Sequence, residues 1–301
     1  MKNIHLNGIL PPLTTPFDDR GDLDSEGLSE NVSRYNEAGL AGYVALGSNG
    51  EAVHLSADER MKVVETIRRA AAPNMTLVVG INESSARAAI EASKAAAGLG
   101  ADALLVITPY FYKSLMTQET LLRYFTEVAD SVPVPVLVYN VPQNTGVVID
   151  PATIAALGEH ERIIGVKDSA GNMGAISNTI RLTPSGFAVM TGNGGILYPS
   201  LMMGATGAIL AVACAAPRAC VDLYDATRSG DHARARELQN RLAPLSHIVT
   251  AGLGVPGLKA ALEMAGLVGG APRSPLTPLA PEGREKVRAI MRQTGLFPGM
   301  E

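Results

Sequence analysis

Short apolar runs recur along the chain at residues 8–13, 42–46, 76–81, 103–107, 135–140, 163–167, 187–191 and 207–212. Runs such as LLVIT and VLVYN are apolar at nearly every position. That pattern suits parallel strands covered on both faces better than half-exposed antiparallel ones. Between the runs lie segments of helical period at 24–38, 56–71, 84–99, 117–131, 151–157 and 172–181. Several carry start signals. Ser56 sits three residues before Glu59 in SADE, a capping-box pattern, and Asp150 precedes Pro151, a cap residue before a proline at the first helical position. Strands alternating with helices predict an α/β fold, either a barrel or a doubly wound sheet.

From about residue 215 the strand pattern stops and helices follow one another at 216–228, 233–250, 257–265 and 281–294. Turns such as RSGDH and VGGAPRSPLTP join them, with no long linker. The tail is therefore expected to pack as a helical extension.

Bulk properties narrow the function. A chain of 301 residues that is 47% hydrophobic has ample material for one large barrel or two ordinary domains. A net charge of −4 with scattered Lys and Arg argues against nucleic acid. The N-terminal run is short and broken by prolines, so no signal peptide or membrane span is expected, and a reducing cytoplasm is the expected location. Cys214 and Cys220 lie in an Ala-rich stretch and read as buried small hydrophobes. The five histidines, His5, His54, His160, His232 and His247, show no ligand spacing, so no metal and no cofactor are expected. GLGVPG follows a helix and contains Pro256, which rules it out as a dinucleotide loop.

In a parallel barrel the reactive groups sit where strands end, because the loops there form the mouth. Four polar loops follow apolar runs: GSNGE (residues 47–51), TPYFY (108–112), YNVPQNTG (139–146) and GVKDS (165–169). Lys167 closes the run Ile163–Val166, where an ammonium is costly to bury and a neutral amine is a nucleophile. Condensed with a ketone, it becomes an iminium that draws electrons from the neighbouring carbon–carbon bond. The plain alternative is a strand-end lysine paired with Asp168 or reaching for water. Tyr139 ends the preceding strand and faces the same mouth, where a phenol can shuttle protons for carbinolamine formation. In GSNGE, Ser48, Asn49 and the glycine backbone offer neutral donors for a small carboxylate, with Glu51 bracing the loop.

In this order and spacing, GSNGE, TPY, YNVP, GVKDS and GATGAIL resemble the dihydrodipicolinate synthase and N-acetylneuraminate lyase family over roughly residues 8–296. The resemblance implies a (β/α)8 TIM barrel, taken as residues 1–229, with a C-terminal helical extension at 230–301. It implies Lys167 as the Schiff-base lysine, Tyr139 as proton relay and Ser48 as the relay hydroxyl. Asn49 and Ser169, with the backbone of Gly192 and Ile209, would hold the keto acid. A homotetramer is implied, in which a neighbouring subunit's tyrosine completes the relay. That position reads Phe111 here, which leaves Tyr112 or Tyr110 to substitute.

Two departures bear on substrate. Members that make dihydrodipicolinate typically read GTTGE and carry an arginine after YNVP, whereas this chain has GSNGE and Asn144. A neutral amide cannot give arginine's bidentate contact to a carboxylate. GSNGE, VPQNTG, KDS and GVPGLK together are similar to 4-hydroxy-2-oxoglutarate aldolase. The expected reaction is therefore reversible cleavage of 4-hydroxy-2-oxoglutarate to pyruvate and glyoxylate. The alternatives are 4-hydroxy-tetrahydrodipicolinate (dihydrodipicolinate) synthase, condensing pyruvate with aspartate semialdehyde, a related keto-acid dehydratase, or a keto-acid sensor without turnover.

Overall fold

The computed structural model describes residue 4 and residues 6–300; His5 lies outside the described residues. Eight strands form one parallel sheet: β1 (Gly8–Leu10), β2 (Gly42–Ala45), β3 (Thr76–Ile81), β4 (Ala103–Ile107), β5 (Val136–Asn140), β6 (Ile163–Asp168), β7 (Ala188–Thr191) and β8 (Gly207–Ile209). From β2 to β8 each pairs with its sequence neighbour, and β8 returns to β1. The ring closes between β1 and β2 through three backbone bonds. Ala41 N–H donates to Ile9 O (3.0 Å), Val44 N–H to Pro11 O (3.0 Å), and Leu13 N–H to Val44 O (2.9 Å). Pro11 and Pro12 have no N–H to give, so β1 ends at Leu10, short of the run's end at residue 13. The architecture is a (β/α)8 TIM barrel with helices around it, and the doubly wound alternative falls away.

Alternation along the strands explains the unbroken apolar runs. Leu10, Val44, Val78, Leu105, Leu137, Met190 and Ile209 pack together inside the barrel. Their neighbours Ile9, Tyr43, Val79, Val106, Val138, Val166 and Val189 join the larger core with the helices. Neither face of a strand meets water, so the strands are apolar until their last residues, where Asn140, Lys167 and Asp168 stand. The predicted strand at 207–212 is cut short, because Val212–Ala215 turns into a helix immediately after β8.

The expected capping box is present: Ser56 Oγ accepts from Glu59 N–H, and Glu59 Oε2 accepts from Ser56 N–H. Asp150 does precede Pro151 at the helix start, but its side chain makes no cap bond. After the barrel come helices Pro217–Arg228, His232–His247, Gly254–Met264 and Pro281–Thr294, with a π-type stretch at Ile248–Gly252. The predicted helix 233–250 thus changes winding after residue 247. No described helix is long and apolar enough to cross a membrane. Cys214 and Cys220 are free and fully buried, as the Ala-rich context implied, and burial pushes both thiols up.

The segment following Gly254–Met264 returns to the barrel mouth. Gly270 adopts φ +68°, and a Cβ there would stand 2.7 Å from Phe17 O, so only glycine lets the backbones meet. Three residues on, Arg273 grips Glu59 with two bonds of 2.9 and 2.7 Å. This guanidinium holds the Glu59 carboxyl down at about 2 against an ordinary 4.5, with burial opposing it and the Ser56 backbone assisting. A folded value below the unfolded one means stability fully present above the ordinary value and lost as pH falls towards the folded one. Denaturation from about pH 5 to about pH 2 is expected to show that loss, with a flatter profile in Glu59→Gln, which keeps the capping box. Parallel profiles for the two proteins would contradict this assignment.

Candidate active site

The loop leaving β2 is held under strain. Leu46 (φ 55°) and Glu51 (φ 51°) both take the left-handed conformation, flanking the tight turn Ser48–Gly50. Such non-glycine residues cost about 1–3 kcal/mol each and persist only where surroundings enforce them. Here Asn82 Nδ2 donates to Leu46 O (2.8 Å), and Thr15 Oγ1 to Gly50 O (2.7 Å). The result places the Ser48 hydroxyl 3.3 Å from the Tyr139 hydroxyl, with Asn49 beside it, half-buried.

Tyr139 and Lys167 face each other across the β5–β6 ladder. Both lie on the inward side, each 4% exposed, and the lysine Nζ stands 4.2 Å from the phenol ring centroid. Asp168, one residue on, points away. Its carboxylate accepts from Asn140 Nδ2 (2.6 Å) and Ala170 N–H (3.0 Å). Burial raises the Asp168 carboxyl in spite of those bonds. No ion pair joins Lys167 to Asp168 among the described residues, and a residue 4% exposed has little reach to water, so neither form of the plain strand-end reading fits the lysine.

Burial by itself pushes the Tyr139 phenol up. The charge of Lys167, with hydrogen bonds from Ser48, Lys167 and Ser169, outweighs it and draws the phenol below its ordinary value of 10.0. A phenol so lowered gives up its proton more readily than a free tyrosine, which suits acid–base work.

Ser169, in the loop after β6, also helps to lower the phenol. Gly192, after β7, makes room for it: a Cβ at Gly192 would fall 2.0 Å from Ser169 Oγ. Ile209 ends β8 within the inner barrel cluster, 1% exposed. Lys167, Tyr139, Ser48, Ser169 and Gly192 therefore come together, with Asn49 adjoining. Asn144 lies exposed on the helical turn Pro142–Thr145. Tyr112 is 67% exposed and meets Phe111 edge-on at 5.1 Å, and neither bonds to Ser48 or Tyr139 within this chain. Tyr110 is half-buried on the same loop.

Some supporting residues escaped the sequence reading. Asn140 ties two loops, donating to Asp168 and accepting from Ile149 N–H (3.2 Å), and Gln143 donates to Ser169 O. Both stand inside YNVPQ: Asn140 is polar at the strand end, a signal equal to that of Tyr139, whereas Gln143 lies on the turn beyond it, where no local pattern marks it. Among the described residues no cluster of His, Cys, Asp or Glu is arranged to hold a metal ion.

A barrel whose mouth holds a buried amine against a phenol and a hydroxyl has the groups that chemistry through a lysine imine needs, as in the class I aldolases. The chain belongs to the dihydrodipicolinate synthetase family, whose profile matches residues 5–294, and it is a member of this class of pyruvate-dependent aldolases. It is 37% identical over 295 residues to a 4-hydroxy-tetrahydrodipicolinate synthase of Methanopyrus kandleri, covering 97% of this chain and 98% of the relative. A synthase of the same name from Methanothrix thermoacetophila is 37% identical over 285 residues, covering 94% and 95%. Among solved structures, dihydrodipicolinate synthase from Acinetobacter baumannii complexed with pyruvate superposes with TM-score 0.92 at 34% identity, covering 96% and 99%. YagE of Escherichia coli K12, also in complex with pyruvate, gives 0.91 at 31%, covering 97% and 99%. These names agree with the synthase alternative and not with the 4-hydroxy-2-oxoglutarate aldolase expected from the motifs.

Proposed function

We propose that Lys167 forms an imine with pyruvate, that Tyr139 and Ser48 relay protons to and from it, and that the enamine adds reversibly to a short aldehyde acid. The observation that carries this is the inward-facing amine 4.2 Å from the Tyr139 ring, with the Ser48 hydroxyl 3.3 Å from the phenol hydroxyl and, among the described residues, no carboxylate paired with the lysine. Amine attack on the keto carbon gives a carbinolamine, whose hydroxyl must leave as water; the phenol supplies that proton and recovers it later. The turn carrying Ser48 and Asn49, with Ser169, supports the pyruvate carboxylate, and Gly192 and Ile209 bound it from β7 and β8.

Borohydride reduction with pyruvate tests the mechanism. A mass increase confined to the peptide bearing Lys167 is expected, and an unmodified Lys167 ends this reading.

For the acceptor, Asn144 favours glyoxylate and hence 4-hydroxy-2-oxoglutarate cleavage, since no arginine stands at that turn to clasp a second, longer carboxylate. The relatives' names speak for aspartate semialdehyde, and on names alone that second reading is the better supported. It has one local support: the Lys113 ammonium lies against the same turn, 3.0 Å from where a Gly146 Cβ would be. Assays of pyruvate with both aldehydes separate the two readings. We expect a preference for glyoxylate, and Asn144→Arg should raise kcat/KM for the semialdehyde by about tenfold or more, the worth of a charge-assisted bidentate contact. A wild-type preference for the semialdehyde would establish the synthase.

The exposed Phe111, Tyr112, Leu115 and Val53 support an interface between copies of the chain, in which Tyr112 or Tyr110 of one copy could complete the relay of another. A homotetramer in a cytoplasmic setting fits this reading.

A further inference from the structure

Glu51 ends GSNGE, yet its side chain turns away from the mouth. It is 2% exposed, held in the left-handed conformation, and its Oε1 lies 2.7 Å from the ammonium of Lys259, itself 1% exposed. Lys259 comes from helix Gly254–Met264, outside the barrel. Its Nζ also donates to Ala271 O (2.7 Å) and stands 4.5 Å over the Phe17 ring. The other carboxylate oxygen of Glu51 accepts from Arg273 N–H (2.9 Å) and lies 3.2 Å from His54 Nδ1. The Arg273 guanidinium covers the same Phe17 ring at 4.2 Å and donates to His54 O and Gly21 O. Burial pulls the Lys259 ammonium below its ordinary range, although the Glu51 charge opposes that.

A carboxylate sealed from water stays put only while a cation answers it. With Lys259 removed, Glu51 keeps Arg273 N–H and His54 but loses its cation, and it must either take up a proton or turn towards solvent. The backbone that would have to move for this is the turn directly before it, which carries Ser48 and Asn49. On the Glu51 side of that turn the carboxylate is held by Lys259, Arg273 N–H and His54, while Thr15 Oγ1 holds the backbone at Gly50 O, so the charge pair is one of two anchors between the strained φ angles. We propose that Lys259 is a positioning residue for the active site: through Glu51 it fixes the turn that presents Ser48 and Asn49, making the C-terminal extension part of the keto-acid site. The assignment rests on the aldolase reading for its catalytic consequence, while its structural content stands independently.

Three variants test it: Lys259→Met, Glu51→Gln and the two combined. Each folded protein is titrated with pyruvate under borohydride, and amide exchange is followed across residues 47–51. Lys259→Met should need about tenfold more pyruvate for half-maximal trapping, the effect of a small misplacement of the cradle. At saturation its adduct should still form on Lys167, and the 47–51 amides should exchange faster than in wild type. The double variant removes the orphaned charge and should recover part of both effects. A merely structural Lys259 would lower thermal stability and leave half-saturation and exchange unchanged below the melting range, and that outcome overturns the proposal. Should Lys259→Met not fold, Glu51→Gln, which keeps the side chain's size and removes the charge that Lys259 holds, carries the same two readings, with unchanged values again decisive against it. If wild type itself forms no adduct, the aldolase reading fails, and faster or unchanged exchange in the variants still decides the role of Lys259.

Discussion

Lys167→Met is expected to leave a folded barrel that traps no pyruvate and whose aldol turnover is lower by roughly 10⁴-fold or more, because no other group can form the imine. Methionine keeps most of the side chain's length and fills the same buried space, losing only the terminal amine that faces the Tyr139 ring. Loss of activity can then be separated from loss of structure. Circular dichroism and thermal melting report the fold, and steady-state aldol assays with borohydride trapping report the chemistry. The phenol offers a further check. Without the neighbouring charge, burial dominates, and Tyr139 should titrate higher than in wild type. Wild-type-like turnover in this variant would place the reactive centre elsewhere.

Tyr139→Phe should have the second largest effect, a fall of about 10²–10⁴-fold in kcat, the range for losing a positioned acid–base group. The ring that faces Lys167 survives this change, and only the hydroxyl bonded to Ser48 disappears. Imine formation should therefore slow in pre-steady-state trapping, while the final yield of adduct after long incubation approaches that of wild type. A trapping rate close to the wild-type rate would show that protons reach the carbinolamine by another route.

Much of this was legible in the chain itself, for identifiable reasons. Strands such as 103–107 and 136–140 announce themselves because burial on both faces leaves no polar position to confuse the pattern. Lys167 and Tyr139 stand out because each is polar where an apolar run ends. Strand ends were less legible where local chemistry intervened, as at Pro11 and Pro12, whose missing donors end β1 early. At residue 212 the apolar composition continues while the backbone coils, since Ala and Val side chains serve a buried helix as well as a strand. The bracing role of Glu51 was anticipated, but its partners were not. Glu51 and Arg273 are 222 residues apart, and nothing in the local pattern around either names the other. GVPGLK entered the sequence reading as a motif of resemblance, and the structure assigns its lysine a specific place behind the active-site turn.

The closure between β1 and β2 has a thermal consequence. Two of its bonds end on carbonyls of the Ile9–Pro11 stretch, and the adjoining prolines cannot add donors, so this seam has fewer ladder bonds to lose than its neighbours. Breathing of the ring should begin there, beside the exit to Ser48 and Asn49, on the side opposite the strand that bears Lys167. Warming would then loosen the grip on the small acid before it disturbs the covalent chemistry, and affinity would fade at temperatures where the amine remains competent.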